Sequence, residues 1–220
     1  MIEANLEQAR FNMIEQQIRT WEVLDQRVLD LLAGAPREAF VPERYRKLAF
    51  ADMNIPLGRD QVMMPPKLEA RMLQALNPQP HETVLEVGTG SGFVTYLLSR
   101  LARHVYSVDI IPEFKTAAQE KLSAQGATNV SLDVGDAARG WPRHAPYDVI
   151  AITGSLPLPP EDFLSDLALG GRLFAVVGDA PVMEARLITR VAEDEWVHES
   201  LFETELTPLI NAPQPPRFTL

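Results

Sequence analysis

Cysteine is absent from all 220 residues, which excludes disulfide bonds and thiolate metal sites and fits a reducing compartment. Basic residues are scarce: 20 lysines and arginines against 30 acidic residues give a formal net charge of -10. Because such a surface repels polyanions, we expect no nucleic-acid partner. The N-terminus has no long apolar run, so we expect neither a secretory signal nor a membrane span. The expected location is therefore the cytoplasm.

Sequence patterns that mark several other protein classes are also missing. No G-x-S-x-G sequence of a serine hydrolase occurs, and three isolated tryptophans do not make a platform for stacking bases. No heptad pattern for dimerisation is evident, so a monomer is the expected state. The histidines are scattered without metal-ligand spacing, so we predict no metal site. They are His81, His104, His144 and His198.

Helical and strand-like patterns divide the chain into two regions of one expected domain, residues 1–220. Residues 1–78 form an N-terminal region with apolar side chains at helical spacing, for example over residues 5–18. Residues 79–220 alternate strand-like and helix-like segments, and after Gly178 they show two strands joined by a polar turn. The sequence therefore predicts an α/β fold: a doubly wound, mostly parallel Rossmann-like sheet with N-terminal helices and a C-terminal antiparallel strand pair.

Five strands are predicted in the second region before the antiparallel pair. A helix is expected between the fourth and fifth of them, in the segment EDFLSDLALGG. The stretch over residues 36–58 mixes short apolar pieces with prolines, so it is expected to be irregular or short-helical. The predicted strands are TVLEV, HVYSVDI, VSLDVGD, YDVIAITG and RLFAVVG.

The first of these strands runs into a glycine cluster, VLEVGTGSGF, from Val84 to Phe93. Glycines let the backbone approach a ligand closely, and ligands on such sheets bind at the carboxyl ends of the strands. The spacing differs from the dinucleotide pattern G-x-G-x-x-G, because the third glycine comes one residue early and Phe93 takes the place of the last one. The lysine of a P-loop is absent as well. The turn therefore favours neither a dinucleotide nor a triphosphate.

Three acidic residues stand near this turn. Glu86 precedes the first glycine by two residues, where a carboxylate repels a pyrophosphate and attracts a sulfonium or an ammonium group. Asp109 ends the second strand, where an acid can accept hydrogen bonds from both ribose hydroxyls. Asp136 follows the third strand, at a place suited to an adenine edge. Together, the acids and the glycines predict that the chain binds S-adenosylmethionine (SAM).

Segments spread along nearly the whole chain carry a family resemblance. They are VLEVGTGSGF, the N-terminal pair APREAFVPE and AFADMNIPLG, and the later GDAARGWPRHAPYDVIAITGS and LALGGRLFAVVG. In combination they resemble the protein-L-isoaspartate O-methyltransferase family of class I SAM-dependent methyltransferases. The resemblance implies an enzyme that methylates the free carboxylate of isomerised aspartate in damaged proteins or peptides. The ester then closes to a succinimide, which reopens partly to normal aspartate.

The resemblance also implies roles for individual residues. Asp109 would take the ribose, with Ile110 beside it in the cofactor site, and Asp136 and Ala137 would flank the adenine. The family usually has glycine where Ala137 stands, and alanine leaves less freedom if a positive φ is needed there. The methionine part of the cofactor would lie against a set of residues in and before the glycine turn: Glu86, Gly88, Thr89, Gly90 and Ser91.

The segment DQVMMPPK departs from the family's substrate loop, which reads roughly G-Q-T-I-S-x-P and whose serine faces the substrate carboxylate. Alignment on Pro65 places Met63 at the serine position, and methionine cannot donate a hydrogen bond. Met63 is therefore expected to face the substrate rather than to take part in the chemistry, unless it only packs beneath the cofactor. Candidates for orienting the acceptor carboxylate are the backbone N–H groups of the loop and two cations, Arg59 and Lys67.

Three other functions stay open at this point. The chain could be a methyltransferase of the same family with a different acceptor, since the loop around Met63 is divergent. It could be a SAM-binding protein with little or no turnover. A nicotinamide-dependent oxidoreductase is the third alternative, which the glycine spacing and Glu86 disfavour.

Overall fold

A central β-sheet organises the molecule in the computed structural model, which describes residues 2–216. In chain order the strands are β1 (Ile55–Gly58), β2 (Gln61–Met63), β3 (Thr83–Val87), β4 (His104–Asp109), β5 (Val130–Val134), β6 (Tyr147–Leu156), β7 (Leu167–Asp179), β8 (Val182–Ala192) and β9 (Glu195–Thr204). The α-helices are α1 (Ile2–Met13), α2 (Gln26–Gly34), α3 (Arg37–Phe40), α4 (Pro66–Leu76), α5 (Phe93–Leu101) and α6 (Pro112–Ala124).

The sheet has seven strands in the order β5-β4-β3-β6-β7-β8-β9. Neighbouring strands from β5 to β7 run parallel, whereas β8 and β9 are antiparallel to the strands beside them. The chain order reverses direction at β3, which lies between β4 and β6, and such a reversal opens a crevice at the carboxyl ends of the strands. The predicted fold class is confirmed, including the antiparallel pair at one edge.

The N-terminal region is helical, as its periodicity predicts. Helix α1 continues through a π-helical turn (Ile14–Ile18) into a short 3-10 turn (Arg19–Trp21). Ile14 and Ile18 are buried, so the wider π-turn keeps the apolar stripe against the core. No helix within residues 2–216 is long and apolar enough to cross a membrane.

Two apolar layers cover the two faces of the sheet. All six α-helices contribute side chains to one layer, which packs on residues such as Val84 of β3. The next residue, Leu85, points to the opposite layer, as the period of a strand requires. That second layer contains Phe163, from a single 3-10 turn (Glu161–Asp166), with Trp141 packed against it. One face is therefore covered by helices and the other by short turns.

The prediction of a helix in the segment EDFLSDLALGG is wrong. Only Glu161–Asp166 turns, as a 3-10 helix, and β7 already begins at Leu167. Two glycines follow within the strand, and glycine disfavours a continuing helix. A Cβ atom at Gly171 would lie 3.0 Å from the carbonyl oxygen of Tyr147, so glycine allows the two strands to approach closely. The strand consequently takes residues that the sequence pattern assigned to a helix.

β1 and β2 form an antiparallel hairpin that the sequence analysis did not predict. The tip residues, Arg59 and Asp60, both have positive φ, 56° and 58°. Hairpin tips of this kind usually carry Asn-Gly or Asp-Gly, so Arg-Asp gives no recognisable turn signal. The preceding stretch contains only α3 and a 3-10 helix (Glu43–Leu48), which agrees with the short helical pieces predicted there.

Arg37 is a fully buried cation that ties three N-terminal segments together. Its guanidinium forms an ion pair with Glu69 of α4, and both side chains are almost completely excluded from solvent. Nε donates to the carbonyl oxygen of Ala49 at 2.6 Å, and Nη2 donates to that of Met64 at 2.6 Å. The guanidinium also lies over the ring of Phe93, 4.9 Å from its centroid. α3, the hairpin's C-terminal end and α4 are thereby held against α5.

We expect Arg37→Ala to lower the free energy of unfolding by about 3–5 kcal/mol, because it leaves a buried carboxylate and two carbonyls unpaired. Urea denaturation followed by circular dichroism measures the loss. Arg46→Ala is the control, since Arg46 pairs with Glu43 on the surface and its removal should change little. Equal, small losses in the free energy of unfolding for both variants would contradict the conclusion that Arg37 holds these segments together.

Candidate functional site

An opening beside the sheet lies at the carboxyl ends of β3, β4 and β6. We call it the outer cleft, and it holds about 640 Å³ of space that is open to solvent. Six of the residues predicted to bind the cofactor line it: Gly88, Gly90, Asp109, Ile110, Asp136 and Ala137. Other walls come from the hairpin, from β6 and from the chain after β9: Leu57, Gln61, Val62, Thr153, Gly154, Leu206, Thr207, Leu209 and Ile210.

A smaller space, the inner chamber, lies on the other side of the glycine turn and holds about 290 Å³. It shares lining residues with the outer cleft, so the two spaces adjoin and form a two-part site. The remaining predicted residues, Glu86, Thr89, Ser91 and Met63, all line it. Its full lining is Leu57, Val62, Met63, Met64, Glu69, Glu86, Gly88, Thr89, Gly90, Ser91, Val94 and Thr153.

Glycine is required at two positions of the turn for different reasons. Gly88 has φ +99°, and a Cβ atom there would lie 2.4 Å from Oγ1 of Thr153, which itself donates to the carbonyl oxygen of Gly88 at 2.6 Å. Gly92 has φ +83°, and its Cβ would lie 2.9 Å from the Cβ of Ala118 in α6. The first glycine therefore keeps the site open, whereas the third lets α5 pack closely on α6.

Asp109 stabilises the glycine turn from the end of β4. One carboxylate oxygen accepts a hydrogen bond from the backbone N–H of Gly90 and the other from that of Ile111, both at 2.8 Å. Burial raises the pKa of Asp109, and these two hydrogen bonds act against that shift. Each oxygen keeps a second lone pair, so the carboxylate can still accept hydrogen bonds from a ligand in the outer cleft.

Asp136 connects the outer cleft to the chain that follows β9. Its Oδ1 accepts from the backbone N–H of Ala138 at 3.0 Å, and its Oδ2 accepts from Nδ2 of Asn211 at 2.8 Å. Ala137 does not adopt a positive φ, so alanine introduces no backbone strain at this position. The carboxylate therefore holds the cleft's opposite wall in place in addition to lining the cleft.

Residues 205–212 form this C-terminal wall, which no sequence pattern predicted. Its backbone pairs with Ser155 of β6, through Ser155 N–H to the carbonyl of Thr207 and Leu209 N–H to the carbonyl of Ser155, both 2.9 Å. A Cβ at Gly154 would lie 2.7 Å from Cδ2 of Leu209. The only sequence signal was the short apolar run between prolines, which predicts neither a strand nor a contact with β6.

Glu86 is completely buried beneath the glycine turn. Its Oε2 accepts hydrogen bonds from Thr95 at 2.5 Å and from Ser107 at 2.6 Å, whereas Oε1 has no partner. Burial raises the pKa of Glu86 to about 8, the two hydroxyl donors oppose the shift, and the nearby Asp109 adds to it. A buried carboxyl with a strongly shifted pKa and an unpartnered oxygen marks a candidate functional site.

Met63 lies in the buried wall of the inner chamber, and its neighbour Met64 lines the same chamber. Two adjacent methionines, not one, therefore line the chamber. The candidate cations are engaged elsewhere: Arg59 pairs with Glu113 at 2.5 Å, and Lys67 pairs with Asp52 at 2.8 Å. Neither of them lines the chamber.

The raised pKa of Glu86 predicts a pH dependence of stability. The folded state favours the protonated carboxyl, so this contribution to stability is present below the usual pKa and is lost as the pH rises through about 8. Glu86→Gln keeps the shape and cannot ionise, so its unfolding midpoint should fall less than that of the wild type between about pH 6 and pH 8. Thermal melts across this range test the prediction, with the surface variant Glu113→Gln as control. Identical slopes for wild type and Glu86→Gln would refute it.

Known proteins are similar to this chain over nearly its full length. Residues 8–214 match the family model described as Protein-L-isoaspartate(D-aspartate) O-methyltransferase (PCMT). Protein-L-isoaspartate O-methyltransferase 2 of Pelobacter propionicus is 37% identical over 209 residues, which cover 94% of this chain and 93% of the relative. Protein-L-isoaspartate O-methyltransferase of Rhodopseudomonas palustris is 39% identical over 201 residues, covering 91% and 92%.

Solved structures agree in fold. A protein-L-isoaspartate O-methyltransferase structure superposes with a TM-score of 0.76 at 23% identity, covering 92% of this chain and 66% of that one. A Plasmodium falciparum structure described as the same enzyme in complex with S-adenosyl-L-homocysteine has a TM-score of 0.76 at 16% identity, covering 90% and 97%. The family match and the relatives together show that the chain belongs to the protein-L-isoaspartate(D-aspartate) O-methyltransferase family of SAM-dependent protein carboxyl methyltransferases.

Proposed function

We propose that this SAM-dependent methyltransferase holds its cofactor across the outer cleft and the inner chamber and methylates isoaspartyl residues of damaged proteins. The observation that carries the proposal is the junction of the two spaces at the glycine turn, with an acid at each expected cofactor position. Asp109 and Ile110 take the ribose, and Asp136 and Ala137 flank the adenine. The methionine part lies beside Glu86, Thr89 and Ser91.

The residues present fit this cofactor on two counts. A Cβ atom at Gly88 would clash with Oγ1 of Thr153, so glycine at this position leaves space for a ligand beside the backbone. The free oxygen of Glu86 calls for a positively charged or hydrogen-bond-donating group, and SAM carries both a sulfonium and an ammonium. A dinucleotide would place its pyrophosphate at the glycine turn, where the neighbouring acid Glu86 is unfavourable, which favours SAM over an oxidoreductase cofactor.

The reaction requires little chemistry from the protein. When bound, SAM supplies an electrophilic methyl group. An acceptor carboxylate is already ionised near neutral pH, so no general base is needed, and the chain contributes alignment and exclusion of water. The chamber walls Met63 and Met64 supply shape but no hydrogen-bond donor. Backbone N–H groups of the hairpin are therefore the proposed groups that orient the acceptor.

The proposed substrates are isoaspartyl-containing proteins or peptides. We propose that the enzyme acts on them as a monomer in the cytoplasm, without a nucleic-acid or membrane partner. The net charge of -10 supports the exclusion of nucleic acid. The alternative is a different acceptor on the same fold and cofactor site, and the observation in its favour is the pair of buried methionines. A SAM-binding protein without turnover is the third outcome that the experiments below distinguish.

We expect Asp109→Ala to weaken SAM binding by more than about 1.5 kcal/mol, because a charged acceptor for the ribose diol and a support of the turn are both lost. Isothermal titration calorimetry measures the affinity, and circular dichroism checks that the variant is folded. Asp30→Ala, on the exposed face of α2, is the control and should bind SAM like the wild type. Unchanged affinity in a folded Asp109→Ala would remove this carboxylate from the cofactor site.

The acceptor is tested with SAM carrying a labelled methyl group and two peptides that differ only in isoaspartyl against aspartyl linkage. We expect the wild type to label the isoaspartyl peptide alone. The variants Met63→Ser and Met64→Ser each place a hydroxyl in the chamber wall. If the natural chamber already suits the isoaspartyl carboxylate, neither variant should raise the labelling rate more than about tenfold. A larger rise at unchanged SAM affinity would favour a different natural acceptor. SAM binding without any labelling by the wild type would count against the isoaspartyl substrate.

A further inference from the structure

The inner chamber contains a second carboxylate that the sequence analysis did not single out. Glu69 of α4 has no solvent exposure, and it lines the chamber together with Glu86. Each of the two side chains uses Oε2 for its protein partners, and each leaves Oε1 buried without a hydrogen-bond partner. Two unpartnered carboxylate oxygens in one small chamber are costly unless a ligand satisfies them.

Arg37 holds Glu69 in place but donates a hydrogen bond to only one of its two carboxylate oxygens. All three guanidinium nitrogens are occupied, by Glu69, by the carbonyl of Ala49 and by the carbonyl of Met64. The guanidinium also lies over the ring of Phe93, and none of its hydrogen bonds reaches the second oxygen of Glu69. Burial raises the pKa of Glu69, and Arg37 opposes that shift through its charge and its hydrogen bond. The pair therefore presents a held carboxylate with one oxygen left for a ligand.

The chamber's chemistry selects the kind of group that fits. None of its lining residues is basic, so the lining offers no compensating charge to a negatively charged group. A metal ion needs more oxygen or nitrogen ligands than these two carboxylates supply, and no metal-holding group of three or more acidic, histidine or cysteine side chains occurs within residues 2–216. A sulfonium carries charge but cannot donate a hydrogen bond. A primary ammonium has three N–H donors and matches two separate acceptors.

We propose that Glu69 and Glu86 together receive the α-ammonium group of the cofactor's methionine portion, which makes Glu69 a positioning residue for methyl transfer. The proposal rests on the proposed use of SAM. Glu86 comes from β3 and Glu69 from α4, so the ammonium is held between the sheet and the N-terminal region. An ammonium bound at both carboxylates fixes the methionine chain, and the methyl group is thereby held in one direction relative to the hairpin.

The first experiment needs no substitution. The wild type is titrated with S-adenosylhomocysteine and with its analogue in which hydrogen replaces the α-amino group. We expect the analogue to bind at least about tenfold more weakly, because charge-assisted hydrogen bonds are lost. Equal affinities would overturn the proposal while leaving SAM as the cofactor. Failure of the wild type to bind S-adenosylhomocysteine or SAM at all would instead overturn the proposed function.

The second experiment assigns the effect to Glu69. Glu69→Gln keeps an oxygen for Arg37, and it should lower affinity for S-adenosylhomocysteine about tenfold. Affinity for 5′-methylthioadenosine, which lacks the whole amino-acid portion, should not change. Removing the α-amino group should reduce the affinity less in Glu69→Gln than in the wild type. The variant has already lost one of the two proposed partners of that group, so the two losses are not additive. Glu38→Gln is the control, because Glu38 forms a half-buried ion pair with Arg10 away from both spaces.

Equal weakening of S-adenosylhomocysteine and 5′-methylthioadenosine by Glu69→Gln would show a structural effect on the whole site and overturn the assignment. An undiminished penalty for the deaminated analogue would do the same. If Glu69→Gln does not fold, as a thermal melt would reveal, the wild-type comparison of the two ligands still decides whether the chamber recognises the ammonium.

Discussion

The buried ion pair between Arg37 and Glu69 connects α3 to α4, and Glu69 lines the space beneath the glycine turn. A guanidinium is suited to this place because its planar fork can satisfy a carboxylate and two carbonyls at once, which a lysine ammonium cannot do in the same geometry. The pair also costs desolvation energy, so its retention is more easily explained by what it positions than by stability alone. Glu69, which Arg37 holds in place, also lines the inner chamber.

The site's acids support the backbone as well as facing a ligand. Asp109 accepts from two backbone N–H groups and Asp136 accepts from Ala138 and Asn211, so each cleft wall is held by the carboxylate that lines it. Shared use of this kind makes the cleft preorganised, because few groups need to be ordered when a ligand arrives. Glu86 differs, since one of its oxygens stays unpartnered. Burial raises its pKa to about 8, and the hydrogen bonds from Ser107 and Thr95 offset only part of that shift.

Much of the fold followed from local sequence patterns. Alternating strand and helix periods predicted the parallel sheet, and the glycine spacing with Glu86, Asp109 and Asp136 predicted residues that the structure brings to one two-part site. The hairpin, the C-terminal wall and Glu69 were missed. Arg59 and Asp60 are unusual turn residues, residues 205–212 join β6 through backbone hydrogen bonds, and Glu69 depends on a partner 32 positions away. Such long-range contacts leave no periodic trace in a single sequence.

The position of the C-terminal wall has a consequence for truncated chains. Every strand of the sheet precedes residues 205–212, yet Leu206, Thr207, Leu209 and Ile210 line the outer cleft. Asn211 in the same segment donates a hydrogen bond to Asp136. A chain cut directly after β9 would therefore retain the sequence of every strand and lose both this wall and the side chain that supports Asp136.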